Sequence, residues 1–195
     1  FPVGTWQETI ATGNGRKVTW YDAFWRPRLV QEYDTANEAG TQRLNATAYD
    51  IMGRVAFAAY PRATATSMSS FTQGVWTEYD ALGRPVTVAQ DSEHGLLTTL
   101  TEYLDDFQVR VTNPRLHATT THFQVFDRPD TSSPVMIVEP AGRTTIISRD
   151  VLGRTTLLAR TDGTWGTTVE RRYAFDAYGR LCKQIEPETG ATVLQ

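Results

Sequence analysis

The sequence predicts an all-β fold, an array of about seven antiparallel β-hairpin repeats that form one continuous, curved or spiralling sheet. Three observations predict it. Thr and Val are abundant, and branched side chains suit a pleated, half-buried surface. A short turn motif recurs along nearly the whole chain. No segment carries a convincing 3.6-residue apolar period, and Pro and Gly interrupt most windows long enough for a helix.

The recurring motif has the pattern aromatic-Asp-x-x-Gly-Arg. It is complete at residues 49–54, 79–84 and 175–180, and at 149–154 only the aromatic is replaced, by Arg149. A degenerate copy at 21–26 has Trp25 in the Gly position. Two fainter copies lie at 104–109 and 126–131. The motif aspartates, spaced by 22 to 30 residues, are Asp22, Asp50, Asp80, Asp105, Asp127, Asp150 and Asp176.

Each motif has the chemistry of a hairpin turn. Asp accepts a hydrogen bond from the backbone two residues on, two right-handed residues follow, and Gly adopts the left-handed conformation without a Cβ penalty. This predicts a type I turn with a G1 bulge. The residues predicted to have positive φ are Gly53, Gly83, Gly153 and Gly179. Trp25 must then be strained, or its turn must be of another type.

A second, looser turn signal separates most motifs, as at Glu38-Ala39-Gly40 and Asn113-Pro114, so each repeat contributes about two strands. The five clearest motif turns should therefore lie along one edge of the sheet. The residue before the motif Gly is bulky and apolar in six units: Phe24, Met52, Leu82, Phe107, Leu152 and Tyr178. These residues are expected to pack on each other or against a neighbouring layer.

The motif, its spacing and the interleaved turns resemble the YD repeats of the RHS family, from about Asp22 to Arg180. The resemblance implies a single repeat array over 1–195, a fragment of a longer shell. Such shells enclose a C-terminal toxin in bacterial RHS polymorphic toxins and Tc toxin B and C components, and a related shell serves adhesion in teneurins. It implies a secreted or cell-surface bacterial protein, partnered by its parent chain and an enclosed cargo. The family's self-cleaving Asp-Pro-x-Gly region has no match here.

We find no catalytic, cofactor-binding or metal-binding constellation in the sequence, and we predict a protein that is not an enzyme. A zinc site needs three or four converging ligands, and a calcium site needs about six oxygens. The residues considered and set aside are His94, His117, His122, Asp91, Glu93, Asp105, Asp106, Cys182 and the glycan-acceptor triplet Asn45-Ala46-Thr47.

Charge and hydropathy exclude two classes of partner. The net charge is −3, whereas nucleic-acid binding requires a basic face. No stretch approaches the ~20 apolar residues of a membrane span. The chain starts at Phe1 without an initiator Met, which we interpret as the beginning of a fragment. Its two sheet edges, near Trp6 and Val193, carry no charge to block strand addition, so we expect self-association or dependence on the parent chain.

Two functions from different classes remain open. The leading hypothesis is a structural shell segment with one face towards a lumen. The alternative is a cell-surface module that binds glycans or proteins through exposed indole rings. Those rings could instead cap the hydrophobic layer. The residues concerned are Trp6, Trp20, Trp25, Trp76 and Trp165.

Overall fold

The computed structural model describes residues 6–125, 130–163 and 167–194. Its strands are all antiparallel and pair in chain order in one open sheet, which confirms the predicted fold class. The strands are β1 Trp6–Thr12, β2 Gly15–Tyr21, β3 Pro27–Asp34, β4 Arg43–Tyr49, β5 Val55–Ala59, β6 Gly74–Tyr79, β7 Pro85–Ser92, β8 Gly95–Leu104, β9 Gln108–Thr112, β10 Ala118–Phe123, β11 Pro134–Val138, β12 Thr144–Arg149, β13 Thr155–Thr161, β14 Thr168–Phe175, β15 Leu181–Glu186 and β16 Gly190–Val193.

Helical structure within these ranges is confined to three single turns, α1 at Glu38–Thr41 and 3₁₀ turns at Met68–Ser70 and Pro140–Gly142. No helix of the described chain is long and apolar enough to cross a membrane. The chain divides into two compact units, Phe1–Thr99 and Leu100–Gln195.

The sixteen strands of the described chain make eight hairpins, one more than the seven predicted. The additional hairpin comes from the two strands at the ends of the array. Motif turns follow even-numbered strands, as between β4 and β5, so β1 and β16 are added outside the first and last motifs. Connections after even strands of an antiparallel sheet share one edge. In the first unit this edge holds the turns at Asp22, Asp50 and Asp80, and in the second those at Asp150 and Asp176, as predicted.

The main buried cluster lies in the first unit. Leu29 on β3 is fully buried against Leu44 and Ala46 on β4, and Phe71 completes the cluster. Phe71 comes from the segment 60–73 between β5 and β6, whose first residues continue the pairing with β4 through backbone hydrogen bonds between Leu44 and Arg62. The repeat pattern did not predict this segment. Elsewhere the strands are mostly half-buried, so packing between repeats must supply much of the stability.

Candidate functional site: the arginine–aromatic contacts between repeats

One carboxylate organises each motif turn. In the turn between β4 and β5, Asp50 Oδ1 accepts hydrogen bonds from the backbone N–H groups of Met52 and Arg54, both at 2.9 Å. Asp50 Oδ2 accepts from Arg54 Nε at 2.6 Å. The Gly53 N–H donates to the Asp50 carbonyl at 3.1 Å and closes the turn. The same bonds recur, with Trp25 donating in place of Gly, at the turns of Asp22, Asp80, Asp150 and Asp176.

These hydrogen bonds lower the pKa of the motif carboxyl groups. At Asp22 the hydrogen bond from the Arg26 side chain is the main cause of the lowered pKa. At Asp176 the backbone N–H of Arg180 is the main cause. At Asp50 desolvation raises the pKa, but the backbone and guanidinium of Arg54 outweigh it and the pKa is lowered. The aspartates are therefore charged turn formers.

The motif glycines have the predicted left-handed conformation, with φ of 86°, 83°, 78° and 80° at Gly53, Gly83, Gly153 and Gly179. Trp25 has φ of 60°, so its turn keeps the motif geometry and carries the strain. Glycine also leaves room for the preceding repeat. A Cβ at Gly53 would lie 3.2 Å from Arg26 Nη1, and one at Gly179 would lie 3.1 Å from Arg154 Nη1.

A motif arginine can join its repeat to the next. The guanidinium carbon of Arg54 lies 4.5 Å from the centroid of the Tyr79 ring, within cation–π range. Arg54 Nη1 also donates to the Asp80 carbonyl at 3.1 Å. We call this contact an inter-repeat stack. It recurs between Arg26 and Tyr49 at 4.5 Å and between Arg154 and Phe175 at 4.6 Å.

The tyrosine hydroxyl adds a hydrogen bond back to the strand that follows the motif arginine, which we call the return bond. Tyr49 donates to the Pro27 carbonyl and Tyr79 to the Val55 carbonyl, both at 2.9 Å. Both acceptors belong to the residue that directly follows the motif arginine. Each stack between a motif arginine and a tyrosine is thus held from both sides.

Strand register creates these contacts. On β5 and β6, Phe57 pairs with Trp76. Because the strands are antiparallel, the residue three positions before Phe57, Arg54, stands opposite the residue three positions after Trp76, Tyr79. In the same way, the pairing of Leu29 with Ala46 on β3 and β4 puts Arg26 opposite Tyr49. The pairing of Leu157 with Arg172 on β13 and β14 puts Arg154 opposite Phe175. The residue types of the motif were visible in the sequence, but this register was not, because the looser turns differ in length.

Arg149 shows how the motif tolerates the loss of its aromatic residue. It stands where the other motifs have Tyr or Phe, and its Nη2 donates to the Pro134 carbonyl at 3.4 Å. Register places Pro134 opposite Ser148, just as Pro27 lies opposite Ala48. Its Nη1 bonds Thr155 Oγ1 at 3.1 Å, while its buried Nε has no hydrogen-bond partner among the described residues. An arginine thus replaces the tyrosine hydrogen bond and leaves a buried donor unpaired.

Of the two fainter copies, the one at 104–109 does not form the motif turn. Asp106 and Phe107 both have positive φ, 57° and 54°, and Leu104 pairs with Gln108. Without Gly and Arg, the chain makes a tighter three-residue loop. The copy at 126–131 lies largely outside the described residues.

A motif-like turn that the sequence analysis classed as a looser turn lies after an odd-numbered strand, β9. Asn113 Oδ1 accepts from the N–H groups of Arg115 and His117, at 2.9 and 3.1 Å. Leu116 takes the left-handed position with φ of 63°. Asn followed by Pro was the available signal, because both residues favour this turn.

The expected packing of the apolar tip residues on each other is wrong. Phe24, Met52, Leu82, Leu152 and Tyr178 are each between 72% and 85% exposed. At Gly53, Gly83 and Gly179 the arginine of the preceding repeat fills the space beside the glycine, and all five tip side chains point to solvent. Their packing against a neighbouring layer stays a prediction.

The residues set aside as chemically unpromising are not brought together. Within the described ranges no group of three or more His, Cys, Asp or Glu residues could hold a metal ion. His94 and His117 are exposed in turns, and His122 is half-buried on β10. Cys182 is half-buried on β15, with its thiol 3.3 Å from the Ala174 carbonyl. Asn45 is paired with Val30 inside the sheet.

The tryptophans fall into two groups. Trp20 packs against the buried cluster, and Trp76 lies 4.8 Å from Phe57, so both belong to the hydrophobic layer. Trp6 and Trp25 are both 61% exposed and stack on each other at 5.0 Å with an interplanar angle of 19°. Trp165 lies outside the described residues.

No family model matches this chain, and no curated protein matches it. Several solved structures are similar in part, and two of them contain Tc toxin components. A crystal structure of TcdB2-TccC3-Cdc42 is 12% identical at a TM-score of 0.30, over 93% of this chain and 13% of that chain. A Photorhabdus luminescens Tc holotoxin pore with a mutation in TccC3 is 12% identical at a TM-score of 0.23, over 98% of this chain and 16% of that chain. Similarity at this level supports no conclusion about function.

Proposed function

We propose that this chain is a non-enzymatic wall segment of a repeat shell that encloses a toxin or effector cargo. In this proposal residues 1–195 form one repeat array within a longer secreted or cell-surface bacterial protein, whose other parts and cargo are its partners. The inter-repeat stack is the observation that carries the proposal. Where it forms, it fixes a repeat to its neighbour at the turn edge, which a sheet wall needs where burial within the sheet is slight.

Three features support a structural role. The stack recurs with nearly constant geometry, 4.5 to 4.6 Å, in both compact units. Its arginines are committed to Asp carboxylates of their own turns, as in the 2.6 Å contact between Arg54 and Asp50. The apolar tips stay exposed and offer a row of contacts to further parts of a shell.

Electron microscopy of the complete polypeptide that carries this segment tests the proposal. We expect a hollow particle with these repeats in its wall and density for a cargo inside. A solid domain, or repeats that project from the surface as a separate module, would overturn it. Protease protection of the cargo should fall when Arg54 and Arg154 are both changed to Gln. Arg115→Gln is the matched control, because the Asn113 turn forms no inter-repeat stack among the described residues.

The stacked pair of Trp6 and Trp25 favours a second candidate function, binding of a glycan or protein at the cell surface. Exposed indole faces stack well on sugar rings, and Trp25 keeps a strained conformation that holds its ring beside Trp6. Titration of intrinsic fluorescence with a panel of oligosaccharides tests this function. We expect saturable binding that Trp25→Ala abolishes and Trp76→Phe retains. The absence of binding, or binding that survives Trp25→Ala, would rule out a glycan as the ligand of this pair.

A further inference from the structure

A cavity of about 390 Å³ lies in the second unit, at the sheet edge opposite the motif turns. It is beside the looser turn between β13 and β14, and its charged lining residues are Arg143, Arg160, Arg171 and Asp162. The lining therefore has an excess of positive charge in a chain whose net charge is −3. The cavity has the size of a small-molecule site and takes no part in the inter-repeat stacks.

Strand register brings the three arginines together. Arg160 on β13 pairs with Val169 on β14, and Arg171 lies two residues further along β14. Because side chains alternate along a strand, these residues share one face of the sheet, the face that also carries Phe175. Arg143 joins them from the turn between β11 and β12, directly before β12 pairs with the end of β13.

Glutamates outside the cavity lining hold the guanidinium groups. Arg160 Nη2 donates to both oxygens of Glu139, at 3.2 and 3.0 Å, and Arg143 Nε lies 3.4 Å from the same carboxylate. Arg171 Nη2 donates to Glu188 at 3.2 Å. The Nη1 groups of these three arginines make no hydrogen bond within the described ranges. Each arginine is thus positioned by a carboxylate and keeps donors for a ligand.

The chemistry of the lining selects the class of ligand. Guanidinium groups bind phosphate and sulfate oxygens with two parallel hydrogen bonds. Asp162 would repel a free anion, but its carboxylate accepts hydrogen bonds from sugar hydroxyls. Thr161 and Thr167 add hydroxyl groups to the lining. A ligand with one anionic ester group and several hydroxyl groups satisfies all of these residues, whereas an inorganic anion satisfies the arginines alone.

The first unit has an arginine-lined cavity at the same edge of its sheet. Its volume is about 740 Å³, and its charged lining residues are Arg43, Arg62 and Glu32. Arg43 follows the looser turn between β3 and β4 and alternates on β4 to the face of the motif aromatic residue, Tyr49. Position, face and an excess of arginine over acidic residues are therefore shared by the two cavities.

We propose that the cavity lined by Arg143, Arg160 and Arg171 binds a phosphate or sulfate ester of a sugar. The ester group lies against the guanidinium groups, and the sugar hydroxyls lie against Asp162. The inference goes beyond the proposed wall role and does not depend on it. It also differs from glycan binding at Trp6 and Trp25, which are in the first unit and offer ring faces to an uncharged sugar.

Titration of the 195-residue chain, followed by NMR, tests the inference with glucose monophosphate, glucose monosulfate and unsubstituted glucose as probes. We expect saturable shifts of the Thr161 and Val169 amides with both esters and none with glucose. Arg160→Gln and Arg171→Gln should each weaken binding by about tenfold or more, as expected when a charge-assisted hydrogen-bond donor is lost. Arg172→Gln is the matched control, because Arg172 is the next residue on β14 and lies on the opposite face.

Arg143→Gln keeps the test valid if a substitution within a strand prevents folding, because Arg143 lies in a turn and is 52% exposed. It too should weaken binding of the esters. Inorganic phosphate should bind more weakly than either ester, since it leaves Asp162 without a partner. The inference would be overturned by a lack of saturable binding, by equal affinity for inorganic phosphate, or by binding that the arginine variants leave unchanged.

Discussion

The guanidinium of Arg54 lies 4.5 Å from the centroid of the Tyr79 ring, and the Tyr79 hydroxyl donates a 2.9 Å hydrogen bond to the Val55 carbonyl. Two residues far apart in the sequence thus hold each other across adjacent strands. The motif is therefore more than a turn signal. Its Asp and Gly shape the turn, and its arginine and aromatic residue connect consecutive repeats.

The hydroxyl of the stack can be tested by a matched pair of substitutions. Tyr79→Phe removes the bond to Val55 and should lower the free energy of unfolding by about 0.5–1.5 kcal/mol, the usual net value of one hydrogen bond. Phe175→Tyr adds a hydroxyl at the equivalent position, opposite Arg154, and should not destabilise the protein. Urea denaturation measures both. A neutral Tyr79→Phe would show that the return bond adds nothing.

Two glycines of similar φ, 86° at Gly53 and 78° at Gly153, separate the cost of backbone strain from the cost of contact with the preceding arginine. Gly53→Ala and Gly153→Ala both incur the left-handed penalty, about 1 kcal/mol or more. At Gly53 the new Cβ also meets Arg26 Nη1, at 3.2 Å, whereas at Gly153 no described residue other than its chain neighbours lies within 4 Å. Thermal melts should therefore show the larger loss for Gly53→Ala. Equal losses would mean that the arginine moves aside without cost.

Acid should weaken the motif turns. The pKa of Asp50 is lowered in the folded state, so its contribution to stability is fully present above the ordinary pKa, near 3.8. It is lost as the pH falls through the lower folded value. The Met52 amide donates to Asp50, so its protection from hydrogen exchange, measured against the intrinsic rate at the same pH, should fall below about pH 4. Arg115 is the control, because its amide donates to the neutral side chain of Asn113. An equal fall in protection at both amides would contradict this account.

The exposed tips should contribute little to the stability of this chain. Met52→Ser and Leu82→Ser should each change the free energy of unfolding by less than about 0.5 kcal/mol, since both side chains are exposed. Leu29→Ala, in the buried cluster, should cost about 2–5 kcal/mol. A large loss at either tip would show that it packs against another part of the protein in solution.

The sequence alone was sufficient for the fold class, the roles of Asp and Gly and the left-handed conformation of Gly53, because these depend on a few adjacent residues. It was not sufficient for the stack between Arg54 and Tyr79, whose register depends on the length of the loop between them. The segment 60–73 is held by contacts distant in the chain, Leu44 with Arg62 along β4 and Phe71 with Leu29 in the buried cluster. No pattern of adjacent residues predicts such contacts.

A double-mutant cycle on Arg54 and Tyr79 tests the central claim most directly. Arg54→Gln and Tyr79→Leu are made singly and together, and the free energy of unfolding is measured by urea denaturation. The account predicts that the double variant loses less stability than the sum of the single losses, with a coupling of about 0.5–2 kcal/mol. Additive losses, with no coupling beyond experimental error, would contradict the claim that these contacts connect the repeats.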